Sequence, residues 1–305
     1  MTFKEKLISA ARKNRSWLCV GLDPELSKIP ENLGRDINGL LKFNKGIIDS
    51  TCELVCAYKP NAAFYEAHGL KGWELLHETI EYIPDNIPVI LDCKRGDIGN
   101  TSKMYAQSAF DILGADAVTV NPYMGKDSVE PFLSYKEKGV FILCLTSNPS
   151  AMELQRRIVL LEDPPLVESM TPQAKARTFA EFFGVAAPEL FMHVAGLAGE
   201  WNEHGNAGLV VGATKARDLE AVRAKIGNDM PILIPGVGAQ GGDLEQSIAL
   251  GSNRSGELAI INIARGVIYA GSGADFQTGV RAAALDYRDR ISAVVEKKNR
   301  GTSKI

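Results

Sequence analysis

Short apolar runs recur along this chain, each followed by a stretch with helical patterning, and that alternation constrains the fold more than any other feature. The runs lie at 17–21 (WLCVG), 55–59, 88–92, 116–121 (DAVTVN), 139–145 (GVFILCL), 208–212 (GLVVG), 231–235 (PILIP) and 258–263 (LAIINI). Helical patterns occupy 36–53, 69–82, 101–113, 126–137, 215–226 and 242–250. Strands alternating with helices argue for a parallel sheet built of βα units. Eight such strands predict an α/β fold of the closed (β/α)8 type, a TIM barrel, rather than an open sheet. The 305 residues suit it, since such a barrel takes about 250. One connection is too long for a simple unit. Between strands five and six, ELFMHVAGLAGEWN supplies the expected helix and leaves an insertion at about 156–188, with Pro164, Pro165, Pro172 and Pro188. The expected organisation is a single barrel domain over 1–290 carrying that insertion, then a basic C-terminal tail at 291–305.

Polar, Gly and Pro residues gather at one end of the strands, where a barrel builds its site from βα loops. In order the ends read LDP, KP, DCKRGD, NPY, TSNP, GAT, PGVGAQGG and ARG. The third is the most charged. In PVILDCKRGDIGNT a buried strand turns abruptly ionic, and the period of two puts Asp92 and Lys94 on one side and Leu91 and Cys93 on the other. Arg95 and Gly96 are expected to break the strand, with Asp97 on the loop beyond. Lys59 ends another apolar strand and brings a second ammonium. The simplest structural reading is an ion pair at a strand end. Burying two lysines beside two aspartates costs several kcal/mol per ion unless well paired, so a chain needing only stability would use apolar residues there.

The seventh and eighth strand ends fit a phosphate. PGVGAQGGD carries a formal G-x-G-x-x-G at Gly236, Gly238 and Gly241, which admits a dinucleotide-binding reading. It follows the seventh strand of the series, however, and in a barrel the loops after strands seven and eight commonly hold phosphate. Glycines let backbone N–H groups approach, Gln240 can donate its amide and Arg265 can grip two oxygens. Asp23 either accepts from sugar hydroxyls or caps the helix after Pro24. Thr146, Ser147 and Asn148 either read a polar ring edge or form an ordinary loop.

Other chemistries find little support. The four histidines (His68, His77, His193, His204) have no ligand-like spacing, and there is no nucleophile elbow. The five cysteines include no C-x-x-C pair and fit a reducing cytoplasm. A formal charge of -3 leaves no overall electrostatic footprint for nucleic acid. The opening helix lacks the apolar core of a signal peptide, and no stretch reaches the roughly 18 apolar residues of a membrane span.

These segments resemble the orotidine 5′-phosphate decarboxylase family. LDCKRGDIGNT is similar to its D-x-K-x-x-D-[I/V]-x-x-T signature, and KPNAAFYEAHG, TSNP, PGVGAQGGD and ARGVIYAG match its other site segments in order. The likeness runs from about Trp17 to Gly271 and is greatest to the family's longer bacterial branch. It implies decarboxylation of orotidine 5′-phosphate to UMP in pyrimidine biosynthesis, in the cytoplasm, without metal or cofactor. It further implies that Lys59, Asp92, Lys94 and Asp97 form an alternating charged tetrad in which Lys94 protonates ring carbon 6. Asp97, with Ile98 and Thr101, would enter the partner's site in a homodimer. Asp23 would hold ribose hydroxyls, Ser147 the pyrimidine amide edge, and Gln240 with Arg265 the phosphate. Ser102 stands where the family more often has an apolar residue, and the insertion matches no family motif.

Two other readings stay open on the residues alone. A related barrel enzyme would use magnesium to stabilise an enediolate, and would need a further acidic ligand where Lys59 stands. A non-catalytic nucleotide sensor would need the phosphate loops without the tetrad.

Overall fold

The computed structural model describes residues 1–159, 170–175, 177–178, 188–213, 216–237 and 242–302. Eight parallel strands are seen among them: β1 (Leu18–Leu22), β2 (Ala57–Pro60), β3 (Ile90–Arg95), β4 (Ala117–Val120), β5 (Gly139–Leu145), β6 (Ala207–Val211), β7 (Ile232–Ile234) and β8 (Ala259–Ile263). Their spatial order is β2-β1-β8-β7-β6-β5-β4-β3. The two end strands meet through bridges at Tyr58–Val89 and Asn61–Asp92, with the Tyr58 amide donating to the Pro88 carbonyl at 3.0 Å. That contact closes the expected (β/α)8 barrel. β1, β2, β4, β6 and β7 are buried at every residue, because helices cover the outside and side chains fill the inside. Continuous apolar runs are the sequence form of that double burial.

An opening helix α1 (Phe3–Asn14) precedes the barrel. Thr2 and Glu5 form its capping box, and Phe3 meets Phe141 of β5 edge to face at 5.7 Å. Among the described residues a main helix then follows each strand: α2 (Ile37–Thr51), α3 (Leu70–Tyr82), α4 (Gly99–Gln107), α5 (Lys126–Leu133), α6 (Leu190–Trp201), α7 (Ala216–Ile226), α8 (Leu244–Gly251) and α9 (Phe276–Thr302), with single-turn helices at Ala63–Glu66, Ala151–Leu154 and Arg265–Ile268 beside them. Ser102, the departure on α4, is fully buried and donates to the Ser128 carbonyl at 2.9 Å. Its hydroxyl thus ties α4 to α5 where an apolar residue would only pack.

One expectation needs correction. The segment from 291 is no frayed tail, since α9 continues unbroken through it to Thr302. Ile291 is fully buried, and Lys298 donates to the Ala249 and Ser252 carbonyls at 2.8 and 3.0 Å. These are orphan acceptors at the end of α8, where a cation is favoured. The break expected at Arg95 and Gly96 falls between them: Arg95 is still the last residue of β3, paired with Val120 of β4, and Gly96 lies beyond it.

Most of the 156–188 insertion lies outside the described residues. Its two ends meet, with the Val159 amide donating to the Pro188 carbonyl at 3.0 Å and Ile158 bridging Glu189 antiparallel. The chain thus leaves and rejoins the β5–α6 connection at one point.

Candidate active site

Asp23, Lys59, Asp92, Lys94, Ser147 and Arg265 line one cavity of about 500 Å³. Five strand ends, those of β1, β2, β3, β5 and β8, therefore deliver to one place, as a parallel barrel requires.

At its charged wall, Asp92 accepts from Lys59 Nζ at 2.7 Å through Oδ2 and from Lys94 Nζ at 2.6 Å through Oδ1. Thr119 Oγ1 also donates to Asp92 Oδ1, at 2.9 Å, and accepts from the Lys94 amide at 2.9 Å. The Asp92 side chain is 11% exposed, so these bonds replace most of its hydration. Burial by itself would raise its pKa, but the two ammoniums prevail and hold it well below the usual carboxylate range. Burial would likewise discharge Lys59; the Asp92 and Asp23 carboxylates outweigh it and push that pKa up. Both groups are ionised at neutral pH.

The backbone explains how the pair on β3 meets. Lys94 has φ 47°, in the left-handed region that a residue with a side chain seldom adopts. The pairing of β3 with β4 shifts register between Leu91 and Arg95. Simple alternation is therefore broken at Lys94, and its amide is held by Thr119 while its ammonium returns to Asp92. Strain of this kind, of order 1–3 kcal/mol, gathers at functional sites.

The two lysines differ in access. The Lys59 side chain is 4% exposed and the Lys94 side chain 47%. Lys94 presents its ammonium openly to the cavity, whereas Lys59 is nearly enclosed.

At the end of β1, Asp23 Oδ1 is sealed from solvent without a hydrogen-bond partner among the described residues. Burial raises the pKa of this carboxyl, Lys59 offsetting part of the effect. Ser147 sits on the loop after β5. Gly212 lets that loop approach, since a Cβ there would stand 2.9 Å from the Ser147 amide nitrogen. The loop is tied to the base of the insertion, because Gln155 Oε1 accepts from the Thr146 amide at 2.7 Å. Arg265 follows β8 at the rim and is exposed. Gln240 lies outside the described residues.

Asp97, Ile98 and Thr101 are not brought into this cavity. Asp97 Oδ1 accepts from the Ile98 amide at 2.8 Å; Ile98 is 58% exposed and Thr101 is exposed.

Sequence reasoning passed over Asn61, Thr119, Asn262 and Tyr287, all of which line the cavity. Thr119 and Asn262 had a signal, a lone polar residue within an apolar strand. Tyr287 had none, as it comes from the long last helix.

Comparison with known proteins agrees with this geometry. The sequence profile of the Orotidine 5′-phosphate decarboxylase / HUMPS family matches residues 16–275. An orotidine 5′-phosphate decarboxylase from Herpetosiphon aurantiacus is 46% identical over 283 residues, 92% of this chain and 95% of that one. The solved OMP decarboxylase of Leishmania donovani is 37% identical with a TM-score of 0.78, over 97% of this chain and 99% of that one. The UMP synthase structure from the same organism is 39% identical with a TM-score of 0.79; the alignment covers 97% of this chain but 57% of that longer one. On the match across most of its length and the identity of its relatives, the chain belongs to the orotidine 5′-phosphate decarboxylase / HUMPS family.

Proposed function

We propose that this cavity decarboxylates orotidine 5′-phosphate to UMP, a step of pyrimidine biosynthesis, with Lys94 as the proton donor. The observation that carries the reading is the Lys59–Asp92–Lys94 chain, fixed at 2.7 and 2.6 Å on the cavity wall. Loss of carbon dioxide leaves a carbanion at ring carbon 6 with no adjacent π system to spread it. A fixed positive charge aimed at that carbon stabilises it without reorganisation. The Lys94 ammonium supplies the charge and then the proton, forming the new C–H bond and leaving a neutral amine. Lys59 is too enclosed to do so and instead keeps Asp92 ionised. Asp92, placed against the substrate carboxylate, disfavours the ground state more than the transition state, from which that negative charge departs.

Asp23 holds ribose hydroxyls, Ser147 the amide edge of the ring, and Arg265 with Gln240 the phosphate. Binding energy from the phosphate then orders the loops over the ring, so truncated substrates lose rate as well as affinity. Asp97, Ile98 and Thr101 serve the partner's site in a homodimer, which accounts for their position outside this one. Neither metal nor cofactor has a step to perform. Nucleic acid and membrane are not expected as partners at a net charge of -3; among the described residues no helix is long and apolar enough to cross a membrane. The cytoplasm is the expected compartment.

The test is loss of orotidine 5′-phosphate absorbance with purified protein in excess EDTA. Turnover should survive chelation and vanish in Lys94→Ala. Turnover lost in EDTA and restored by magnesium would favour the enediolate chemistry instead, and tight UMP binding without turnover in either condition would favour a sensor.

A further inference from the structure

The side chain of Asn262 makes no hydrogen bond among the described residues, although it lines the cavity and its Oδ1 is sealed from solvent. An apolar residue would fit the remaining pattern of β8, in which Ala259, Ile260, Ile261 and Ile263 are all buried. An unsatisfied buried amide oxygen is destabilising, so the position bears a penalty in the free protein that nothing among the described residues offsets.

The neighbourhood shows where a ligand group could relieve it. Asn262 pairs in register with Cys19 of β1. Two residues further along each strand come Gly21 and Ala264, packed so closely that a Cβ on Gly21 would lie 2.6 Å from the Ala264 Cβ and 3.5 Å from Asn262 Oδ1. Two residues beyond Gly21 is Asp23, whose Oδ1 is the other orphaned oxygen of this wall. Small residues thus separate a polar floor at Asn262 from a polar rim at Asp23 and Arg265. A sugar between ring and phosphate would occupy that step, and its two vicinal hydroxyls supply the two donors that the orphaned oxygens lack.

We infer that Asn262 is a specificity-determining residue that receives one ribose hydroxyl while Asp23 receives the other, so that the pair selects a ribonucleotide over its deoxy analogues. The inference rests on the proposed function and adds to it a contact from β8. A site built to bond a hydroxyl discriminates strongly against an analogue without it, because its buried polar group is then left unpaired.

The test is calorimetric binding of UMP, 2′-deoxy-UMP and 3′-deoxy-UMP to the wild type, Asn262→Leu and Asn262→Ala. In the leucine variant, UMP should bind about tenfold more weakly, the worth of one buried hydrogen bond. One of the two deoxy analogues, the one lacking the hydroxyl that Asn262 receives, should bind wild type and variant within about twofold of each other. Asn262→Ala should show the same pattern. Unliganded Asn262→Leu should melt no lower than wild type, since it loses no protein hydrogen bond. Unchanged UMP affinity, equal weakening of all three ligands, or a marked fall in melting temperature would each overturn the inference while leaving the decarboxylase reading intact. A wild type that fails to bind UMP would overturn that reading, and this inference with it.

Discussion

Removing Asp92 should destabilise the protein much more than removing the lysine it pairs with. In Asp92→Ala the Lys59 ammonium, whose side chain is 4% exposed, keeps its charge and loses the carboxylate 2.7 Å away. Breaking a buried pair from one side costs about 3–5 kcal/mol. Lys94 adds little, because its 47% exposed side chain can turn to water. In Lys59→Met the surviving charge is Asp92, which retains Lys94 and the Thr119 hydroxyl, so the loss should be smaller by about 2 kcal/mol. Joining Lys59→Met to Asp92→Leu removes both ions and should recover most of the stability, a coupling a double-mutant cycle measures. The assays are urea denaturation, which gives the free energy, and thermal melting, both followed by circular dichroism at pH 7; in the melt the Asp92→Ala loss corresponds to a fall of about 6–10 °C. The pH dependence carries a sign. Asp92 has its folded pKa depressed, so its contribution is full above the unfolded pKa of about 3.9 and is lost as pH falls toward the folded value. The penalty should be the same at about pH 5 and pH 7 and shrink below pH 4. A loss for Asp92→Ala under about 1 kcal/mol at pH 7, or a Lys59→Met loss exceeding it, would refute the reasoning.

Three further outcomes follow from the same geometry. Thr119→Val removes the hydroxyl that accepts from the Lys94 amide and donates to Asp92; it should cost about 1–3 kcal/mol of stability and lower kcat more than it raises KM, by steady-state kinetics. Asp23→Asn should raise stability at neutral pH while weakening UMP binding, seen by thermal melting beside calorimetry: burial raises the carboxyl's folded pKa, so its ionised form opposes folding increasingly as pH climbs above the unfolded value. Asp97→Ala and Lys94→Ala should each be inactive alone, yet regain some activity when their subunits are exchanged, because a shared site would then combine one intact half from each chain. Mixed preparations without any turnover would remove the shared-site reading.

The eight strands were legible because a barrel strand is buried on both faces and therefore writes its signature into its own few residues. Most of the cavity was legible for a related reason: in a parallel barrel every strand end faces one rim, so Asp23, Lys59, Asp92, Lys94, Ser147 and Arg265 could be grouped from position along the chain alone. The sequence could not separate the two lysines. Which is enclosed and which is presented depends on a left-handed residue at Lys94 and on Thr119 from the next strand, and register between strands is a property of the closed sheet. Tyr287 shows the same limit more fully, since a residue of the long, largely polar last helix acquires meaning only when the barrel brings it to the site. The last helix is the clearest case. Its basic residues read as a solvated tail because local composition carries charge but no partner, whereas the fold sets Lys298 against the open carbonyls at the end of α8 and so makes a cation there part of the structure.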